Sequence, residues 1–304
     1  MAVEKGLDFF RKRLQSDQLL GDGAFRNNPA ITALTGMAFL ASGSTPREGK
    51  DAWALQKCLE TLLQQTRPDG TIAPEALSGQ GLMYGHGFAV LFLADCYGMT
   101  SQDAQIRSTL EKAIVRIVQA QNPDGGWRYT LTPQEEDTSV TACMMMALRG
   151  CRNAGLEVPA EVMEKGAAYL KKCQNPDGGF RYRLMEGASA FPRSAAAIAA
   201  LCAGGIYEGE ELDRGLTYLS LQFPQQSPES GYYPYGLYYA IQAVWLCESP
   251  RHPWNAWYES MTKDLLARQK PDGSWISPIS IDYATAMALI VLQIPNHSLP
   301  IFQR

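Results

Sequence analysis

The sequence predicts an all-α protein, an (α/α)6 toroid built from six helix-pair repeats. Two observations lead to this fold class. A Pro-Asp-Gly turn recurs at residues 68–70, 123–125, 176–178 and 271–273, with gaps of 55, 53 and 95 residues, the last close to two periods. Between these turns, an amphipathic segment alternates with one that is apolar on nearly every side. Degenerate turns near residues 21–25 and 228–232 complete six copies.

Each repeat begins with an amphipathic helix whose Lys, Glu and Arg residues suit the solvated outside of a ring. The turn follows because Pro sets φ, Asp bonds its own backbone and Gly accepts a positive φ. A more apolar helix comes next and should be buried. The outer helices are expected at residues 3–15, 52–65, 106–121, 160–174, 210–222 and 256–269, and the inner helices at 29–41, 85–97, 138–151, 194–203, 236–247 and 283–292.

The repeats form one domain and span roughly residues 1–50, 51–104, 105–157, 158–207, 208–250 and 251–304. An open solenoid is the structural alternative. Solenoids usually have polar end helices, however, and the last inner helix here is as apolar as the middle ones. The closed ring is therefore the favoured architecture.

Composition excludes several classes of protein. With 46% hydrophobic and 19% charged residues, the chain is not disordered, and a net charge of −4 argues against a nucleic-acid binder. No apolar run reaches the roughly 18 residues of a membrane-spanning helix, and no secretory signal is recognisable. The seven cysteines are odd in number and include no Cys-x-x-Cys pair. A reduced, cytoplasmic protein is therefore expected.

Three of the turns carry a more specific pattern. The strings Gln-Asn-Pro-Asp-Gly-Gly-Phe at 174–180, Gln-Asn-Pro-Asp-Gly-Gly-Trp at 121–127 and Gln-Lys-Pro-Asp-Gly-Ser-Trp at 269–275 closely resemble the QW motif of squalene and oxidosqualene cyclases. Nearly the whole chain resembles the prenyltransferase and squalene-oxidase repeat superfamily. The resemblance implies a toroid whose inner helices line a cavity. It gives the Gln and the aromatic residue structural roles, and the fold alone does not select a chemistry.

Protonation-initiated (class II) terpene cyclases of this superfamily have Asp-x-Asp-Asp-Thr at the start of an inner helix, and the middle Asp is the acid. At the matching place this chain has Gln134-Glu135-Glu136-Asp137-Thr138. Repulsion among three adjacent carboxyls would raise their pKa values, whereas the helix N-terminus would lower them. Glu136 and Asp137 are thus the candidate catalytic residues of a cyclase-like enzyme acting on a linear polyprenyl substrate. The alternative is that Asp137 or Thr138 only caps the helix.

The zinc site of protein prenyltransferases is not expected. The resemblance would require Asp-x-Cys where the chain has Asp137-Thr138-Ser139, and a His on the last inner helix, which begins Asp282-Tyr283. No cofactor or metal is therefore predicted. Whether His86, Asp137 and Asp282 meet to bind a metal or to perform acid–base chemistry stays open.

The repeat register places a ring of polar residues at the starts of the inner helices, where they should meet at one mouth of the cavity. Each has a second interpretation. The histidine could be a structural residue at a helix start, and the arginine could form a salt bridge instead of binding a diphosphate. The tyrosines could pack between helices instead of contacting a cation. The candidate substrate-binding residues are Tyr84, His86, Arg193, Tyr235, Tyr238 and Asp282.

Two non-catalytic functions stay open. The chain could be a toroid that binds a lipid, peptide or protein, or a prenyltransferase-like partner subunit without the zinc site. The ligand expected from the resemblance is a hydrophobic isoprenoid. Peripheral membrane contact and a protein partner are both compatible with the sequence.

Overall fold

Helices that alternate between an outer and an inner layer make up the structure. The computed structural model describes residues 1–77, 79–185, 187–247 and 252–302. Across these residues there are twelve α-helices and no β-strand, which confirms the all-α class. The outer helices are α1 (Ala2–Gln15), α3 (Ala52–Gln64), α5 (Asp103–Ala120), α7 (Ala160–Lys172), α9 (Glu210–Gln222) and α11 (Trp254–Arg268). The inner helices are α2 (Pro29–Ala41), α4 (Gln80–Cys96), α6 (Thr138–Asn153), α8 (Phe191–Ala203), α10 (Tyr233–Leu246) and α12 (Ile281–Gln293).

The inner helices close into a ring. Each packs against the next inner helix along the chain, and α12 returns to pack against α2. Their side chains are buried on nearly every side, as in α8, where Arg193 is the one charged residue. The outer helices bury one face only. This arrangement is the (α/α) toroid that the sequence predicts, and it is not an open solenoid.

The repeated turns hold neighbouring repeats together. The Gln121 Nε2 group donates to the carbonyl oxygen of Gly125 in its own turn and to that of Val162 in the next outer helix, both at 2.9 Å. Gln174 repeats this arrangement toward its own turn and toward α9, at 2.9 and 2.8 Å. One amide thereby ties the end of an outer helix both to the turn and to the following repeat.

The last repeat makes the same contact with the first helix. Gln269 donates to its turn carbonyl at Gly273 (3.0 Å) and to the carbonyl oxygen of Ala2 (2.9 Å). The backbone at Gly273 also lies against the carbonyl of Lys5, where an added Cβ would approach to 2.2 Å. The glutamine contact that joins successive repeats therefore also joins the last repeat to the first and closes the ring.

Four inner helices begin earlier than predicted. Helix α4 begins five residues before the expected start at residue 85, α8 and α10 each begin three residues early, and α12 begins two residues early. Pro192 and Pro234 lie in the first turns of α8 and α10, where proline is favoured because no N–H bond is lost. The expected boundary between the fifth and sixth repeats, at residues 250 and 251, lies outside the described residues.

The described helices include none that is both long enough and apolar enough to cross a membrane. All seven cysteines are buried and unoxidised. They act as small apolar side chains within the helix contacts.

The turn glycines give a test of how neighbouring repeats pack. Gly178 has φ +87°, and a Cβ there would lie 2.4 Å from the carbonyl oxygen of Arg214, whereas Gly98 has the same φ with nothing within 4 Å. We expect Gly98→Ala to cost about 1 kcal/mol of unfolding free energy from the left-handed conformation alone. Gly178→Ala should cost about 2 kcal/mol more, because a backbone oxygen cannot yield to the new methyl group. Urea unfolding of the two variants measures the difference, and equal losses would contradict the described packing.

Candidate active site

A cavity of about 760 Å³ opens at the N-terminal ends of the inner helices. All six inner helices contribute to its wall, which is expected when equivalent positions of a closed ring converge on one axis. Side chains near the mouth are exposed, among them Tyr232 (67%) and Phe25 (37%). The volume suits a medium-sized organic ligand.

Aromatic side chains dominate the cavity wall. The wall includes two phenylalanines, Phe25 and Phe88. It also includes six tyrosines, namely Tyr84, Tyr129, Tyr182, Tyr232, Tyr235 and Tyr283. Burial raises the pKa of Tyr84 and of Tyr235 well above the ordinary phenol value, so both stay neutral. Neutral aromatic faces stabilise a nearby cation by about 0.5–2 kcal/mol per contact.

Arg193 is the one charged side chain among the described residues that line the cavity. Its Nε donates to the carbonyl oxygen of Phe180 at 3.0 Å and one terminal nitrogen donates to that of Ala188 at 2.6 Å. The guanidinium lies 5.9 Å from the ring centre of Tyr182. No carboxylate among the described residues pairs with it. Burial lowers its pKa, and an anionic ligand group would favour the charged form.

Asp137 lies directly behind the cavity wall and is completely buried. Its Oδ1 caps α6 by accepting the N–H groups of Ser139 (2.9 Å) and Val140 (2.8 Å), as expected for an N-cap. Its Oδ2 takes no part in the cap. That oxygen accepts from the hydroxyl of Tyr182 at 3.3 Å, and Nε of Arg128 lies 3.9 Å away. Burial raises the pKa of Asp137 to about 6, although these hydrogen bonds act in the opposite direction.

Two tyrosines connect Asp137 to the cavity. The hydroxyls of Tyr182 and Tyr129 hydrogen-bond to each other, and both side chains line the cavity. Tyr182 is held against α6 because its backbone carbonyl accepts the N–H of Thr138 at 2.9 Å. Neither tyrosine is among the site residues predicted from the sequence. The signal was present, since each follows the turn aromatic of its repeat, Trp127 or Phe180, by two positions.

Glu136, the other candidate acid, faces a different environment. It accepts from the side-chain amide of Asn122 at 3.4 Å and pairs with Arg183 at 3.6 Å. It does not belong to the cavity wall, and neither does Asp137. Of the two carboxyls, only Asp137 hydrogen-bonds to a side chain that lines the cavity.

His86 lies outside the cavity wall and has a structural contact. Its Nδ1 accepts the backbone N–H of Ile72 at 3.1 Å. In three other repeats, the equivalent backbone N–H, two residues after the turn glycine, donates to the hydroxyl of Thr141, Ser194 or Thr285. Burial lowers the pKa of His86 to about 4, so the imidazole is neutral and its lone pair is available for this bond.

Asp282 and Tyr238 also lie outside the cavity wall, whereas Tyr84, Arg193 and Tyr235 belong to it. Asp282 accepts the N–H of Gly21 at 2.7 Å and pairs with Arg13 at 3.0 Å, and so joins the last repeat to the first. Tyr238 packs edge-to-face in the core. Because each of these residues has its own partners, His86, Asp137 and Asp282 do not meet. No group of three His, Cys, Asp or Glu side chains within the described ranges could hold a metal ion.

Comparison with known proteins gives one match in sequence. No family model matches the chain. It is 27% identical over 169 residues to drimenyl diphosphate synthase from Streptomyces showdoensis, a match that covers 53% of this chain and 30% of that protein. The match therefore spans less than a third of that protein's length.

Solved structures share the fold over nearly the whole chain. Type II terpene cyclase MstE from Scytonema is 16% identical with a TM-score of 0.58, covering 98% of this chain and 99% of that one. An α-1,6-mannanase from Salegentibacter sp. HEL1_6 is 12% identical with a TM-score of 0.69, covering 97% and 99%. Because enzymes acting on such different substrates share this toroid, the fold alone does not select the substrate.

The contact at His86 can be tested against its counterpart in the next repeat. His86→Ala and Thr141→Ala each remove the acceptor of a buried turn N–H, at Ile72 and Trp127 respectively. We expect each to lower the free energy of unfolding by about 1–3 kcal/mol, the penalty for an unsatisfied buried donor. Chemical denaturation measures both losses. A loss of stability in Thr141→Ala with none in His86→Ala would contradict the conclusion that the two side chains have the same structural role.

Proposed function

We propose that this chain is an isoprenoid cyclase of the protonation-initiated type. The observation that supports it best is a buried carboxyl, Asp137, whose raised pKa favours the acid form and whose free oxygen meets a tyrosine of an aromatic cavity. A proton that leaves this carboxyl and bonds to a terminal alkene carbon would create a carbocation on the neighbouring carbon. Internal double bonds would then close rings, and loss of a proton would end the reaction.

The substrate we propose is a linear prenyl chain with an anionic head. The apolar and aromatic wall suits the prenyl chain, and the guanidinium of Arg193 suits a diphosphate or carboxylate because it has no acidic partner among the described residues. The sequence similarity to a diphosphate-forming terpene enzyme agrees with this assignment. The aromatic rings would stabilise the carbocation as it moves along the chain.

Two variants compare the candidate acids. Asp137→Asn keeps an oxygen for the α6 cap but removes the acid, so conversion should fall at least about 100-fold. Glu136→Gln should lose less than about tenfold, since Glu136 faces Asn122 and Arg183. Mass spectrometry of products from squalene and from linear polyprenyl diphosphates measures both, and the diphosphates should be converted in preference to squalene.

Matched thermal unfolding of these variants separates loss of the acid from loss of the fold. Full activity in Asp137→Asn would contradict the assignment. A tightly held isoprenoid with no conversion by the wild type would favour the binding toroid instead.

The pH dependence expected for the activity follows from the raised pKa of Asp137. Asp137 must be protonated to act, and its pKa is raised to about 6 by burial, with Arg128 and Tyr182 as its nearest charged and titratable neighbours and Tyr84, Tyr129 and Tyr235 further away. We expect kcat/KM to be level below about pH 6 and to fall about tenfold per unit above it. Initial rates from pH 4.5 to 8.5 measure this profile. In Asp137→Glu the break should move, whereas a break that stays in place would assign it to the substrate.

A further inference from the structure

Among the described residues, none that lines the cavity carries a carboxyl, although the proposed reaction begins with a proton from one. Asp137 is completely buried, and neither it nor Glu136 is among the residues that line the cavity. A proton travelling from Asp137 to a ligand must therefore cross the wall. The side chain that meets the uncapped oxygen of Asp137 is Tyr182, and Tyr182 in turn meets Tyr129.

We propose that the Tyr182–Tyr129 pair is the proton-delivery path of this site, so that the phenol of Tyr129, rather than a carboxyl, touches the substrate alkene. This inference rests on the proposed function. It assigns a catalytic role to two residues that lie outside the Glu136–Asp137 string.

The transfer balances as three proton movements in one concerted step. When Asp137 is protonated, its O–H donates to the Tyr182 oxygen and the O–H of Tyr182 donates to the Tyr129 oxygen, the reverse of the bond that Tyr182 donates to the carboxylate. The O–H of Tyr129 then gives its proton to the alkene carbon, the O–H of Tyr182 gives its proton to the Tyr129 oxygen, and the carboxyl of Asp137 gives its proton to the Tyr182 oxygen. Both phenols end as they began. Asp137 ends as a carboxylate, the substrate ends as a carbocation, and the proton released when the product forms, or one from solvent, restores the acid.

The surroundings of the pair support this path. Burial raises the pKa of both Tyr129 and Tyr182, so neither is lost as a phenolate. The ring centre of Tyr129 lies 6.4 Å from that of Tyr84, and both rings line the cavity, so the pair ends beside an aromatic side chain that could face a cation. Arg128 lies beside Tyr129 with its guanidinium carbon 5.3 Å from the ring centre, and it pairs with Glu135 at 2.7 Å, which balances its charge.

Removing single hydroxyls tests the path while the rings stay in place. Tyr182→Phe and Tyr129→Phe should each lower kcat about 100-fold with little change in KM, because the aromatic wall is kept. Tyr218→Phe, at a buried tyrosine outside the cavity wall, is the matched control and should stay within twofold. With the wild type, rates in mixtures of light and heavy water should curve with deuterium content, since several protons move in one step.

A second readout does not depend on turnover. The hydrogen bond from Tyr182 lowers the pKa of Asp137, so carbon-13 NMR of labelled Asp137 should show that pKa rise in Tyr182→Phe and, less strongly, in Tyr129→Phe. Tyr218→Phe should leave it unchanged. Unshifted values in both variants would overturn the hydrogen-bonded path.

The remaining outcomes separate the two proposals. Activity within threefold of wild type in both tyrosine variants, together with an inactive Asp137→Asn, would overturn the relay and leave the proposed function standing. No conversion of any isoprenoid by the wild type would overturn the function, and the relay with it.

Discussion

The rest of this structure depends on a repeated contact made by the side-chain amide of a glutamine at the end of an outer helix. In three repeats it donates both to its own turn and to the next outer helix, and Gln269 does so across the junction of the two chain ends. Each contact fixes the step from one repeat to the next. Because the last contact is made with the first helix, the steps add up to a closed ring, and the starts of the inner helices converge on a single cavity.

The fold could be predicted from sequence because its determinants are local and repeated. A Pro-Asp-Gly turn and an alternation of helix types specify the same step several times. The site could be predicted only in part, because its residues follow from side-chain direction as well as register. Tyr84 and Arg193 line the cavity, whereas His86, two positions after Tyr84 on the same helix, has its ring directed at a turn.

The missed pair shows a further limit of reasoning by helix start. Tyr129 and Tyr182 lie in the connections between turn and inner helix, two positions after the turn aromatic. The turn aromatic of each connection forms an isolated antiparallel bridge and is completely buried, whereas the tyrosine two positions later lines the cavity. The periodicity that identifies the helices carries no information about such segments, so only a comparison of turn positions between repeats could have found them.

One oxygen of Asp137 caps α6, and the other is free for the acid role that we propose for this carboxyl. The N–H groups of Ser139 and Val140 engage Oδ1 of Asp137 and favour the anion, whereas complete burial favours the acid. Burial outweighs the hydrogen bonds, since the pKa rises to about 6. A cap therefore does not exclude an acid: it fixes one oxygen and leaves the other directed at Tyr182.

The charge of Arg193 constrains what the cavity can hold during a cationic reaction. At an effective dielectric constant of 20, two unit positive charges about 10 Å apart repel by about 1.7 kcal/mol, which is comparable with one or two cation–π contacts. An uncharged substrate would leave this repulsion uncancelled as its carbocation formed. An anionic head on Arg193 would remove it, and the carboxylate left at Asp137 would then attract the cation without opposition. The same reasoning explains why an aromatic wall alone would not suffice here, and why the proposed substrate needs a charged end.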